Sequence, residues 1–344
     1  ADQGKKAGSV AAFANMVNSF FGSGVLGLPF GFKNAGTWAG AVTLVFIALT
    51  ANYCIKVLLK CQDLLQQERK RERARRESGE AEEASVTGLD ENDDEEYVPA
   101  SYGEIGYAAF GKWGKRTVDF ALCLTQVGFC CIYMIFLGTN LNDIFPSVSP
   151  ATFVWTCFVL ESLICMLRSL KWLAPFSVMA EVSTVVGLLV TNIYAIGNLL
   201  SKVDNGTTID RHGVSAFHPL TYPMFFGVAS ATYEGIALVI PIQRSMEKPK
   251  DYPMVLDRAF VLVTVVFLVS GLTSYIGFGA ETQSIITINL PDNYIGDSVV
   301  FVLCIAIFFT YPIQIFVVFE LMEGWMYPDG EGAGEDAACR GQAA

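Results

Sequence analysis

Asn15-Met-Val-Asn-Ser-Phe-Phe-Gly-Ser-Gly-Val-Leu-Gly-Leu-Pro-Phe30 is apolar enough to lie in a membrane, yet it sets Gly22, Gly24, Gly27 and Pro29 where an uninterrupted spanning helix would carry Leu or Ile. Gly leaves the backbone loosely restrained and Pro has no N–H to donate. In lipid, backbone groups freed in this way are tolerated only where protein or a wet cavity satisfies them. A helix broken at Gly22-Ser23-Gly24 therefore reads as a binding site rather than a lipid-facing rod. The competing reading is a close helix–helix contact built on small residues.

The rest of the chain fits a membrane setting. Its 344 residues are 52% hydrophobic, include 25 Phe and have a mean hydropathy of +0.42, too apolar for a soluble domain of this size. The net charge of −11 says little about partners, because much of the acid sits in one block between Glu80 and Glu96, which reads as a solvated, disordered segment. The nine cysteines fall mostly in apolar spans without metal-type spacing, and read as small buried hydrophobes. No cleavable signal sequence is expected. The chain also lacks Walker loops, nucleotide fingerprints, His/Cys clusters and a Ser-His-Asp set, so no enzyme, metal centre, cofactor or nucleic-acid site is expected.

Eight spans are read along the chain. After a cytoplasmic lead (1–8) come helices 1 and 2 (within 9–61), a charged and partly disordered cytoplasmic loop (62–115), helices 3–8 (within 116–326) and a disordered cytoplasmic tail (327–344). The Arg/Glu alternation at 68–77 reads as a solvated helix, and the loop as a surface for a cytoplasmic protein or lipid headgroups. With the N-terminus in the cytoplasm, only Lys33, Lys202 and Arg211 of the 23 basic residues fall on the far side, as the positive-inside rule requires. The sequon Asn205-Gly-Thr207 then lies outside, where Asn205 could be glycosylated.

A second interruption marks span six, Pro223-Met-Phe-Phe-Gly-Val-Ala-Ser-Ala-Thr-Tyr-Glu-Gly-Ile-Ala-Leu-Val-Ile-Pro241. Its middle is small and polar and carries Glu234, an acid at membrane depth and so a functional candidate by default. Interrupted helices five spans apart are what an inverted-repeat transporter predicts. N–H groups at Gly24, Val25 and Leu26, beside Gly22 and Ser23, would face a carboxylate. Unwound carbonyls at Ala229, Ser230 and Ala231 would accept from an ammonium group. That pairing points to an amino acid.

The Asn15–Gly36 stretch resembles the first helix of the amino acid/auxin permease superfamily, most nearly its proton-coupled and vacuolar amino acid transporters. Further matches are Val118-Asp-Phe, Thr125-Gln-Val-Gly-Phe-Cys-Cys-Ile-Tyr133, Tyr222 to Pro241, Thr287-Ile-Asn-Leu-Pro291 and Phe309-Thr-Tyr-Pro-Ile-Gln314. The resemblance implies an all-α polytopic fold like that of the bacterial leucine transporter, with helices 1 and 6 discontinuous, carrying small amino acids by alternating access. It also implies eleven spans, so helices nine to eleven are read as absent. Asn15 stands about where proton-coupled animal relatives carry a histidine, which puts histidine-mediated coupling in doubt.

The expected function is secondary transport of small neutral amino acids with a symported cation, H⁺ ahead of Na⁺, in the plasma membrane or a vacuolar or lysosomal membrane. The alternatives are an amino acid sensor without transport and a truncated, non-transporting form. Tyr233 and Phe20-Phe21 either wall the pocket or pack. Glu234 either carries a proton or bonds backbone N–H groups, and Glu161 and Glu181, within spans four and five, are either paired or turned to water, or have a coupling role. Thr310 could offer a hydroxyl to sodium between helices 1 and 8.

Overall fold

The computed structural model describes residues 8–77, 101–166, 174–204, 214–233, 239, 242–243, 246–247, 251–291 and 294–326. The described chain is helical: α1 (Ser9–Phe20), a 3₁₀ turn (Ser23–Gly27), α2 (Leu28–Ala35), α3 (Thr37–Glu77), α4 (Tyr102–Ile144), α5 (Pro150–Cys165), α6 (Ala174–Asp204), α7 (Tyr222–Ala231), α8 (Tyr252–Phe278) and α9 (Tyr294–Met326). Five of these are long and apolar enough to cross a membrane, namely those built on α3, α4, α6, α8 and α9. They correspond to spans two, three, five, seven and eight of the sequence. The other three segments are the two interrupted ones and the short α5.

The chain divides into two compact units, Ala1–Asn52 with Gln126–Ala344, and Tyr53–Thr125. In the first, α8 is the organising helix. Tyr252, Leu256, Phe260, Val263, Phe267, Gly271 and Tyr275 are buried at three- and four-residue steps along one face, while Val261, Val265 and Val269 are exposed on the other. That division is a helix with one face in protein and one in lipid. α8 packs on α1, α2 and α6, α6 packs on α9, and α9 on α5. Phe32 of α2 locks this layer. A Cβ on Gly271 would lie 2.5 Å from its ring and one on Gly40 2.6 Å from it, so both glycines are there for close approach.

The end of α2 is tied to the segment entering α7. The Thr37 amide donates to Ser215 O at 2.9 Å and the His218 amide to Ala35 O at 3.0 Å. The Thr221 hydroxyl donates to Asn34 O at 2.6 Å, and Lys33 Nζ reaches Thr282 O at 3.0 Å. Gly36, at φ +88°, takes the left-handed turn between α2 and α3 that a Cβ would strain.

In the second unit α3 stays helical to Glu77, so the Arg/Glu run at 68–77 is helix. Its 41 residues span about 60 Å, roughly twice the hydrocarbon thickness. α4 begins well before the expected start of span three. Ser101 and Glu104 form a capping box, with the Glu104 amide on Ser101 Oγ at 3.2 Å and the Ser101 amide on Glu104 Oε2 at 3.1 Å. Glu104 also pairs with Arg69 at 3.2 Å. At Phe110-Gly111 the backbone leaves helical geometry, Gly111 taking φ +62°. The first two turns fold back so that Gly106 and Gly114 meet with no room for a side chain. Residues 62–77 and 102–115 of the expected loop thus lie in α3 and α4. Its acidic run, the lead at 1–7 and the tail from 327 lie outside the described residues.

Candidate functional site

The first break falls where the glycines put it. α1 ends at Phe20, Gly22 is extended at φ −91° and ψ 179°, and Ser23–Gly27 winds as a 3₁₀ turn. The Val25 amide reaches back to Gly22 O at a long 3.4 Å. α2 then starts with Pro29 in its first turn, where a missing N–H costs nothing. Val25 and Leu26 are buried.

The second break sits a little later than expected. Ala229, Ser230 and Ala231 form the last turn of α7, and the helix ends at Thr232 rather than unwinding at 229. The carbonyls expected to be free by unwinding therefore lie in the last turn of a helix. Ala229 O accepts the Thr232 hydroxyl at 2.7 Å and Ser230 O the Tyr233 amide at 3.3 Å. Ser230 itself is exposed, its hydroxyl on Phe226 O at 2.7 Å.

The two breaks meet. A Cβ on Gly24 would lie 3.1 Å from Ala231 O and 3.5 Å from Thr232 Cα, whereas a Cβ on Gly22 would have none of the described residues within 4 Å. One glycine is in backbone contact with the end of α7 and the other borders open space. About 200 residues of chain separate the positions that touch here.

An aromatic cluster closes one side. Tyr233 stacks on Phe260 at 5.7 Å and meets Phe267 at 5.6 Å. Phe20 packs edge-on to Phe260 at 4.9 Å and to Tyr233 at 6.2 Å, and Phe21 meets Phe267 at 5.9 Å. The Tyr233 and Thr264 hydroxyls are hydrogen-bonded at 3.0 Å. Each such ring pair adds about 0.5–1.5 kcal/mol beyond area burial. Phe260, Phe267 and Thr264 carry no local sign of this role in the sequence; only the repeat of buried positions along α8 hints at it.

Asn15 and Thr310 are not gathered here. Asn15 is exposed on α1, off the buried Ala12–Met16–Phe20 stripe. The Thr310 hydroxyl is used within α9, donating to Ala306 O at 2.8 Å. Glu234, Asn205 and the Ser23 side chain lie outside the described residues.

Comparison with known proteins shows the family. A family model described as "Transmembrane amino acid transporter protein" matches residues 5–78 and 86–339. The chain belongs to this transmembrane amino acid transporter family. Amino acid transporter AVT3B of Arabidopsis thaliana is 30% identical over 328 residues, covering 90% of this chain and 70% of that protein. Amino acid transporter ANT1 of the same plant is 28% identical over 324 residues, covering 93% and 68%. Vacuolar amino acid transporter 3 of Saccharomyces cerevisiae is 27% identical over 332 residues, covering 94% of this chain and 43% of that protein.

As a member of the transmembrane amino acid transporter family, the chain is an integral multi-pass membrane protein and a transporter rather than an enzyme. What the site offers fits that class. Among the described residues no His, Cys, Asp or Glu cluster could hold a metal ion. The glycine break offers main chain, the end of α7 offers carbonyls, and Tyr233 offers an aromatic face.

Proposed function

We propose that the chain carries small neutral amino acids across its membrane by alternating access, coupled to a symported cation, H⁺ ahead of Na⁺. The fold is read as an inverted repeat in which the broken first segment and α7 are the paired discontinuous helices. The observation that carries this reading is the approach of Gly24 to Ala231 and Thr232 beside open space at Gly22. The substrate carboxylate lies against the main chain of Gly22–Leu26, including Ser23, Gly24 and Val25. Its ammonium group faces the carbonyls of Ala229, Ser230 and Ala231, and Tyr233 walls a small side-chain pocket. The relatives' names as amino acid transporters support the substrate class.

The test is uptake of labelled alanine, proline and glycine into proteoliposomes holding the full chain, with imposed H⁺ or Na⁺ gradients. Saturable uptake that accumulates under one gradient is expected. Saturable binding without uptake would turn the reading into a sensor, and indifference to both gradients would remove symport.

A further inference from the structure

α5 turns only two residues inward, Cys157 and Glu161, four apart and so on one helix face. Around them Trp155, Phe158, Val159, Leu160 and Leu163 are exposed, as a lipid-facing surface would be. Glu161 is 1% exposed, and both its carboxyl oxygens are fully buried with no hydrogen-bond partner among the described residues. Among the described residues no Lys or Arg forms an ion pair with it.

The groups around it are named by the elements they come from. α9, packed on α5, brings the Tyr311 phenol within electrostatic reach of the carboxyl. α5 itself contributes Cys157 and Cys165. Cys130 and Cys131 of α4 lie within reach of Tyr311, and Cys304 of α9 within reach of Cys157. None of these groups is a cation. With no compensating charge among the described residues, a carboxylate here costs several kcal/mol or more. The neutral acid is the form this conformation accommodates.

We propose that Glu161 is the carboxyl whose protonation is coupled to the transport cycle. The inference rests on the transport reading above. The step is proton binding alone: H⁺ from water on one side adds to a carboxylate oxygen, and the same H⁺ leaves to water on the other. Conformations that bury Glu161 retain the proton, and conformations that open it to water release it, so proton loading and the conformational equilibrium are linked. Pro312 provides a place for that opening. It follows Tyr311 inside α9 and has no N–H for the carbonyl of Phe308, loosening the helix at the level that faces the acid.

The test compares wild type with E161Q and E161D, each as the full chain in proteoliposomes, after equal melting temperatures in detergent are established. Two assays are used: exchange of labelled alanine at equal pH, and accumulation driven by an inside-alkaline gradient with a trapped pH dye. E161Q is expected to keep exchange but lose gradient-driven accumulation and alanine-dependent proton entry, and E161D to recover part of both. Undiminished gradient-driven accumulation in E161Q overturns the proposal, as does equal loss of exchange and accumulation. If E161Q does not fold, the wild-type protein decides it. A carbodiimide that attacks protonated carboxyls in apolar surroundings is expected to modify Glu161 and abolish gradient-driven uptake; an unmodified Glu161 overturns the assignment. Wild type that neither exchanges nor accumulates alanine, proline or glycine sinks the transport reading instead.

Discussion

Gly22 and Gly24 are two residues apart and meet different surroundings, which lets a ligand contact be separated from a packing contact. A methyl group on Gly22 enters open space, and its backbone is ordinary for any residue. G22A is therefore expected to leave the melting temperature unchanged while raising the KM for alanine by about tenfold or more, a loss near 1.4 kcal/mol if substrate occupies that space. Measuring stability and uptake on the same preparation checks it; an unchanged KM would move the site elsewhere. G24V should fail in both respects, because its Cβ alone lies 3.1 Å from the Ala231 carbonyl. Tyr233 separates ring from hydroxyl. Y233F keeps the contacts with Phe20, Phe260 and Phe267 but loses the bond to Thr264, so about 1 kcal/mol of stability should be lost, readable as a lower midpoint in detergent denaturation.

Among the elements, α8 packs closely against Phe32 of α2 and supplies a stability prediction. G271A puts a Cβ 2.5–2.7 Å from the Phe32 ring, and that ring is fully buried. Overpacking of this kind costs about 1–3 kcal/mol, so thermal unfolding in detergent should occur at a lower temperature than in wild type. Pairing it with F32A tests the cause: the smaller side chain should relieve much of the added cost of G271A, and additive losses would place the strain elsewhere. The elements also mark what was legible in the sequence. The break near Gly22, the long apolar segments that form α3, α4, α6, α8 and α9, and the helical Arg/Glu run follow from local composition, because glycine, proline and hydropathy act where they stand. The end of α7 at Thr232 rather than near 229 was not legible, since small polar residues suit a helix end and an unwound segment equally. The reversal at Phe110-Gly111 was hidden because its warrant is the Gly106–Gly114 contact. The Ser101-x-x-Glu104 capping box was readable, but the acidic run beside it drew the whole stretch toward loop. Phe32 also packs on Gly271, more than 200 residues further along the chain, and no local pattern announces such a contact.

The whole molecule raises the question of which way it faces. Exposed Trp38, Val42, Phe46, Leu49 and Tyr53 run along α3 at helical spacing, as do Val182, Leu189, Ile193 and Ile196 on α6, so the protein presents apolar flanks to lipid without favouring either side. Charge makes the choice. Lys33, Lys202 and Arg211 are three of the 23 basic residues, and they are the three assigned to the far side when the N-terminus is cytoplasmic. The segment entering α7 is tied by hydrogen bonds to the Ala35–Thr37 end of the first broken helix, so the 201–219 loop and the start of α3 belong on one side together. Protease added to sealed microsomes, which display the cytoplasmic face, should therefore cut between residues 78 and 100 and spare the 201–219 loop until detergent is added. Cleavage in the opposite order would invert the topology and, with it, the side from which the substrate reaches Gly22.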